Sequence, residues 1–198
     1  MSAVSFALFG TLVDADLPND PAKAVGDELR DRGVDVPDDW ANAYRETHVD
    51  APAGAEVPLP AHVSRALASR GVDAPGNAAR RAVVAAFDPA VRTHDGAEDA
   101  VARARDTGPV GLLANCAVPE LVGRVLVRSA LSRDDFDAVV TSVACGWRKP
   151  DRRAFERVAD ALGIDPVDLT HVGCDGAVVD AGGRCLDAAD GFPPDRIP

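Results

Sequence analysis

From about residue 97 onward, apolar and amphipathic segments alternate along the chain. The apolar segments are short and largely uninterrupted, as in PVGLLAN (109–115). The amphipathic segments, such as DRRAFERVADALG (151–163), are long enough for about three helical turns. Uninterrupted apolar strands separated by helices are typical of parallel sheets covered on both faces. The pattern therefore predicts an α/β fold, a three-layer doubly wound parallel sheet.

The first part of the chain follows a different pattern. AVSFALF (3–9) is apolar and precedes Gly10-Thr11, which predicts a buried strand followed by a tight turn. A Pro/Gly-rich loop is expected over 49–60, and helical segments surround it at 22–33, 38–44, 62–71 and 77–87. We therefore predict an α/β core domain made of 1–14 and 91–198. A small helical cap domain, 15–90, is inserted after the first strand and lies over the carboxyl ends of the strands.

Composition and charge narrow the class of protein. Apolar residues make up 46% of the 198 positions, but no apolar run is long enough to cross a bilayer. The start, MSAVSFALFG, lacks the basic segment of a signal peptide, so we expect a cytoplasmic protein. The net charge of −11 argues against a nucleic acid or an anionic membrane as partner. A homodimer is compatible with the sequence.

The choice of charged residues is unusual. Asp supplies 26 of the 32 acidic residues, and Arg supplies all but two of the 21 bases. Short carboxylates hydrate strongly, and molar salt screens their mutual repulsion over a Debye length of about 3 Å. The composition favours a halophilic protein, with an acidic protein from a GC-rich genome as the alternative.

The four cysteines contain no CxxC pair: Cys116, Cys145, Cys174 and Cys185. This spacing predicts reduced, mostly buried thiols rather than a disulfide framework or a zinc site. A soft-metal site or a thiolate nucleophile near Lys149 is the less favoured alternative.

Ligands of open parallel sheets bind outside the carboxyl ends of the strands. The four predicted strand ends read FALFGTLVD (6–14), LLANC (112–116), GWRKPDRRAF (146–155) and THVGCD (170–175). These segments, in this order, resemble the four motifs of the haloacid dehalogenase superfamily, in the branch with a helical (C1-type) cap. The acidic composition indicates a haloarchaeal type. The resemblance covers almost the whole chain and implies a phosphatase scaffold, that is, a phosphoric monoester hydrolase, with Mg²⁺ as cofactor.

The catalytic positions implied by this resemblance are degenerate. In that family the first motif supplies a nucleophilic Asp and an acid/base Asp, but this chain has Ala7 and Phe9. The hydroxyl that holds the transferring group is replaced by Ala114, and the first metal-binding Asp by Cys174. A methyl group can neither attack phosphorus nor bind a metal.

Other positions of the motifs are retained. The resemblance assigns Lys149 the role of the catalytic lysine that balances charge and binds phosphate. It implies phosphate or substrate contacts from Gly10, Thr11 and Asn115, although a turn-forming Gly and a loop-closing Asn are open alternatives. Asp175 is a weak candidate for the metal ligand, and Asp180 is the alternative.

The retained and replaced motif residues lead to two alternative hypotheses about function. The first is an inactive phosphatase-like protein that keeps a cleft for a small anionic or phosphorylated molecule. The second is an active Mg²⁺-dependent phosphatase or 2-haloacid dehalogenase-like hydrolase with a non-standard nucleophile. We interpret His171 as a packed core histidine rather than a catalytic residue.

Overall fold

The computed structural model describes residues 2–173, 183–188 and 191–192. A five-stranded parallel sheet lies at its centre, in the order β5-β4-β1-β6-β7. Its strands are β1 (Ala3–Phe6), β4 (Val110–Ala114), β5 (Ala138–Thr141), β6 (Leu169–Val172) and β7 (Arg184–Leu186).

Strand β1 is the central strand, and all four of its residues are buried. The chain adds β4 and β5 on one side of β1, then crosses to the other side for β6 and β7. Such a reversal leaves a crevice at the carboxyl ends of the strands that flank it, here β1 and β6. The predicted doubly wound parallel sheet is confirmed, and its crevice lies where the first and fourth motifs end.

Helices cover both faces of this sheet. They are α5 (Ala97–Thr107), α6 (Leu121–Arg128), α7 (Ser142–Cys145) and α8 (Arg152–Leu162), with short 3₁₀ turns at Arg133–Asp135 and Pro166–Asp168. Helix α8 shows why these segments are helical. The Asp151 side chain accepts from the Arg153 amide at its start, and Gly163 adopts a left-handed conformation at its end. Its buried face, including Phe155 and Val158, packs on the sheet near Leu113.

Along the chain, four helices lie between β1 and helix α5, which precedes the next strand of the sheet, β4. They are α1 (Pro21–Arg30), α2 (Trp40–Arg45), α3 (Leu59–Ala68) and α4 (Ala78–Ala86). A two-stranded antiparallel ribbon of β2 (Val13–Ala15) and β3 (Val91–Thr93) brackets them. One cluster of buried apolar side chains runs from Phe6 through Leu12 to Leu29, so these helices share a core with the sheet. The Trp40 indole donates to the Ala22 carbonyl at 2.7 Å and fixes α2 against α1.

Three predicted ends of strands or helices differ from the structure. Strand β1 ends at Phe6 rather than residue 9, because Leu8 begins a tight turn whose carbonyl accepts amides from Leu12 and Val13. Helix α3 begins at Leu59, inside the predicted loop, with Pro60 in its first turn, where a missing N–H is harmless. The strand predicted over FDAVVTSV stops at Thr141, whose side chain caps α7. The ribbon of β2 and β3 is too short to give a strand pattern in sequence.

Within the residues that the structure describes, no helix is both long and apolar enough to cross a membrane.

Candidate functional site

A cavity of about 340 Å³ opens at the carboxyl ends of β1, β4 and β6. Its lining residues are Ala7, Leu8, Phe9, Gly10, Thr11, Ala114, Asn115, Lys149, Gly173, Asp187 and Ala188. The structure therefore brings the first three motifs and the start of the fourth to one place. Cys174, Asp175 and Asp180 lie outside the described residues, so the predicted metal ligands cannot be placed.

Ala7 lies at the tip of β1 and is only 5% exposed. Its amide donates to the Val172 carbonyl at 2.8 Å, which continues the pairing of β1 with β6 by one residue. Gly173 follows with a φ of +102°, and a Cβ there would come within 2.8 Å of the Ala7 Cβ and 2.2 Å of the Thr11 Oγ1. Only glycine allows this close approach. The floor of the cavity is thus apolar where the family resemblance expects a carboxylate.

The turn after β1 lines the cavity, and most of its backbone amides are paired within the turn. The Gly10 N–H is paired with the Val13 carbonyl, and the Thr11, Leu12 and Val13 amides all donate to the Leu8 carbonyl. Among the described residues, the amides of Leu8 and Phe9 have no hydrogen-bond acceptor. Leu8 is buried, Phe9 is half-buried, and neighbouring unpaired amides are typical of anion sites.

Asn115 contacts Lys149 through both ends of its side-chain amide. Its Nδ2 donates to the Lys149 carbonyl at 2.9 Å, and its Oδ1 accepts the Lys149 amide at 2.7 Å. This pair of bonds closes the loop after β4 onto the loop before α8. A direct contact of Asn115 with a substrate remains a prediction.

The Lys149 side chain extends from this fixed backbone towards His171. Its Nζ lies 3.1 Å from His171 Nε2, and His171 Nδ1 lies 2.8 Å from the Ser5 hydroxyl. Phe155 packs edge-on against the imidazole, with ring centroids 5.3 Å apart. The imidazole is 3% exposed. Burial, and then the charge of Lys149, hold the pKa of His171 well below its usual range, and the Ser5 backbone opposes this only in part.

The loop that carries Lys149 is tied to the inserted segment by residues 53–59, here termed the bridging loop. Ala55 forms an antiparallel bridge with Trp147, and the Arg148 amide donates to the Gly54 carbonyl at 2.8 Å. Gly54 has a φ of +79°, and a Cβ at this position would lie 2.3 Å from Asp151 Oδ2. The Arg153 side chain stacks on Trp147, with its Cζ 3.2 Å from the ring centroid.

Arg153 also anchors Asp151 at the start of α8. Its guanidinium bonds both carboxylate oxygens, at 2.8 and 2.7 Å, and the Arg153 side chain, helped by its backbone amide, lowers the pKa of Asp151 to about 2. Asp151 therefore stays ionised and keeps the Lys149 loop in place over the usual pH range.

Glu56 enters the core from the bridging loop, and its side chain is 5% exposed. Its carboxylate accepts a short hydrogen bond from the Ser142 hydroxyl, which in turn accepts the Cys116 amide at 2.7 Å. Arg148 Nε lies 3.7 Å from the same carboxylate. This network links the inserted segment to the ends of β4 and β5.

The cysteines give little support to a thiol site. Cys116 and Cys145 are free, neither lines the cavity, and burial raises the pKa of Cys116. Cys185 is disulfide-bonded, so the expectation of a reduced thiol is wrong there. It lies on the edge strand β7 and is partly buried.

The described residues supply few ligands for Mg²⁺. They contain no group of three or more His, Cys, Asp or Glu residues that could hold a metal ion. Among them, Asp187 is the one carboxylate that lines the cavity. Mg²⁺ requires several oxygen ligands in near-octahedral geometry, which a single exposed carboxylate does not supply.

Sequence reasoning missed two residues of this region. His171 was interpreted as a core histidine, and it is buried, but it also contacts Lys149. The structure pairs it in register with Ser5 on the neighbouring strand, which the sequence does not reveal. Asp187 follows β7, and the rule that ligands bind at carboxyl ends of strands would have selected it.

Comparisons with known proteins agree with this architecture. No family model matches the chain. The human haloacid dehalogenase-like hydrolase domain-containing protein 3 is 46% identical over 41 residues, which are 21% of this chain and 16% of that protein.

Three of the solved structures that match over most of the chain illustrate this fold. A phosphate complex of CbbY from Rhodobacter sphaeroides has a TM-score of 0.60 at 18% identity, over 98% of this chain and 88% of that one. The L-2-haloacid dehalogenase from Xanthobacter autotrophicus has a TM-score of 0.52 at 20% identity, over 92% and 73%. An aspartate-to-alanine mutant of a HAD-family enzyme from Bacteroides thetaiotaomicron has a TM-score of 0.57 at 16% identity, over 94% and 93%. The chain therefore has the fold of the haloacid dehalogenase-like hydrolases.

Proposed function

We propose that this chain is a non-catalytic relative of the haloacid dehalogenase-like phosphatases, and that it binds a small phosphorylated or otherwise anionic molecule beside Lys149. One observation carries the proposal. A methyl group, that of Ala7, stands at the tip of β1, while Lys149 and two unpaired amides line the same cavity.

The loss of catalysis follows from the position of Ala7. Removing the nucleophile from a catalytic unit typically lowers turnover about a millionfold. Asp187 is not an equivalent replacement, because β7 is two strands away from β1. At about 4.8 Å between neighbouring strands, this separation is roughly 10 Å. To act as a nucleophile, the Asp187 carboxylate would have to reach across β6 towards a group held at the tip of β1.

Binding of an anion does not require the missing carboxylate. The Lys149 ammonium supplies a positive charge, and the Leu8 and Phe9 amides supply two donors that need an acceptor. The Rhodobacter sphaeroides structure with the same fold contains phosphate. The Bacteroides thetaiotaomicron structure contains magnesium and inorganic phosphate although one of its aspartates has been changed to alanine.

We also propose that residues 15–90 form the cap and that 1–14 and 91–198 form the core. The β2–β3 ribbon lies at both junctions, which supports this division. The halophilic character remains a proposal from composition.

Titration calorimetry with inorganic phosphate tests the binding proposal, with Lys149→Ala as the variant. Lys23, the other lysine, provides the matched control, since its exposed side chain pairs with Asp27 on α1. We expect the wild type and Lys23→Ala to bind phosphate equally. Lys149→Ala should bind at least about tenfold more weakly, the usual effect of losing a charged hydrogen bond. Equal affinity of both variants would contradict the proposal.

An active hydrolase is the second candidate, because Asp187 faces the cavity. In that case Asp187→Asn would abolish turnover, and heavy oxygen from labelled water would enter the Asp187 carboxylate. The combined reversion Ala7→Asp, Ala114→Ser and Cys174→Asp distinguishes the two. Recovery of Mg²⁺-dependent phosphatase activity only in that variant supports an inactive scaffold.

A further inference from the structure

Ser5, His171 and Lys149 form a continuous chain of contacts under the cavity. Ser5 and His171 are paired in register on the neighbouring strands β1 and β6, so their side chains lie on the same face of the sheet. The Ser5 hydroxyl lies 2.8 Å from His171 Nδ1, and His171 Nε2 lies 3.1 Å from Lys149 Nζ. Phe155 packs against the imidazole from α8.

The geometry defines which imidazole nitrogen carries the proton. An ammonium group has only donors, so His171 Nε2 must accept the bond from Lys149. The proton of the neutral ring is then on Nδ1, which donates to the Ser5 hydroxyl. A protonated His171 would place two positive groups 3.1 Å apart in a buried site, which is electrostatically unfavourable.

We infer that His171 is a positioning residue, a neutral acceptor that holds the Lys149 ammonium at the edge of the anion cavity. This inference rests on the proposed anion binding. A lysine side chain has several rotatable bonds, so holding it in one position costs rotamer entropy. Asn115 fixes the Lys149 backbone and His171 fixes its tip, so the cost is met before any anion binds.

The tautomer can be measured without any ligand. In a long-range ¹H–¹⁵N correlation spectrum of the ¹⁵N-labelled full chain, we expect His171 to carry its proton on Nδ1, with Nε2 unprotonated, at neutral pH. Ser5→Ala assigns the signal, because it removes the partner of Nδ1. A proton on Nε2 would overturn the inference, whether or not the protein binds phosphate.

Phosphate titration of two variants tests the positioning role. His171→Leu removes the acceptor, whereas His171→Gln keeps an oxygen near the position of Nε2. We expect His171→Leu to bind phosphate about tenfold more weakly than the wild type, and His171→Gln to recover most of that loss. Equal affinity of a folded His171→Leu variant and the wild type would overturn the inference. If the wild type itself binds no phosphate, the proposed function fails, and the tautomer measurement still decides the contact with Lys149.

Discussion

Lowering the pH should destabilise this protein through His171 at values where its carboxylates are still ionised. The imidazole is 3% exposed and stays neutral in the folded state, because burial and the Lys149 charge lower its pKa. An unfolded histidine has a pKa of about 6.5. As the pH falls below that value, the unfolded state gains a proton that the folded state does not, so the unfolded state is favoured.

The size of the effect follows from this difference alone. Above about pH 7.5 the ring is almost entirely neutral in both states and contributes little pH dependence. At pH 5.5 about nine in ten unfolded molecules carry the proton, which stabilises the unfolded state by up to about 1.4 kcal/mol for as long as the folded ring stays neutral.

Urea unfolding at pH 7.5, 6.5 and 5.5, in constant molar KCl, measures the effect in the wild type and in His171→Gln. The difference between the two proteins removes the contribution of all other titrating groups. We expect the wild type to lose up to about 1.4 kcal/mol more than His171→Gln between pH 7.5 and 5.5. The same pH dependence in both proteins would refute the description of His171 as a buried neutral base.

Three further outcomes are expected. Asn115→Ala should weaken phosphate binding and lower the free energy of unfolding by about 1–3 kcal/mol, because both of its bonds to the Lys149 backbone are lost. An unchanged phosphate affinity in calorimetry would argue against the positioning of Lys149 by Asn115. Glu56→Ala should destabilise the protein by about 1.5–3 kcal/mol. Glu56→Gln should destabilise it by less, since the glutamine side-chain oxygen still accepts from the Ser142 hydroxyl. Equal urea midpoints for the two variants would argue against the hydrogen bond between Ser142 and Glu56. The melting temperature should rise between 0.1 and 2 M KCl as salt screens the net charge of −11, and a fall would contradict the halophilic interpretation.

The sheet could be predicted from the sequence because its strands and helices have distinct patterns. Apolar runs such as 110–114 are uninterrupted since both faces of the sheet are covered, and α8 shows one apolar face with a cap at each end. The strand order then brings the predicted strand ends together, and seven of the predicted motif residues line one cavity: Ala7, Phe9, Gly10, Thr11, Ala114, Asn115 and Lys149.

What the sequence did not provide are contacts between segments that are distant along the chain. The bridging loop, with Ala55 against Trp147, has no local pattern, because its partners are supplied by a different part of the chain. The role of His171 was missed for a related reason. A buried histidine on a strand looks the same in sequence whether its ring contacts a lysine or an apolar core.

Turnover of p-nitrophenyl phosphate in molar KCl with Mg²⁺ tests the central claim most directly, with wild-type and Lys149→Ala proteins purified in parallel. With Ala7 at the tip of β1, we predict that the wild type releases no more p-nitrophenol than the variant. Release by the wild type that the Lys149→Ala protein lacks would show that another group performs the chemistry, and would contradict the account.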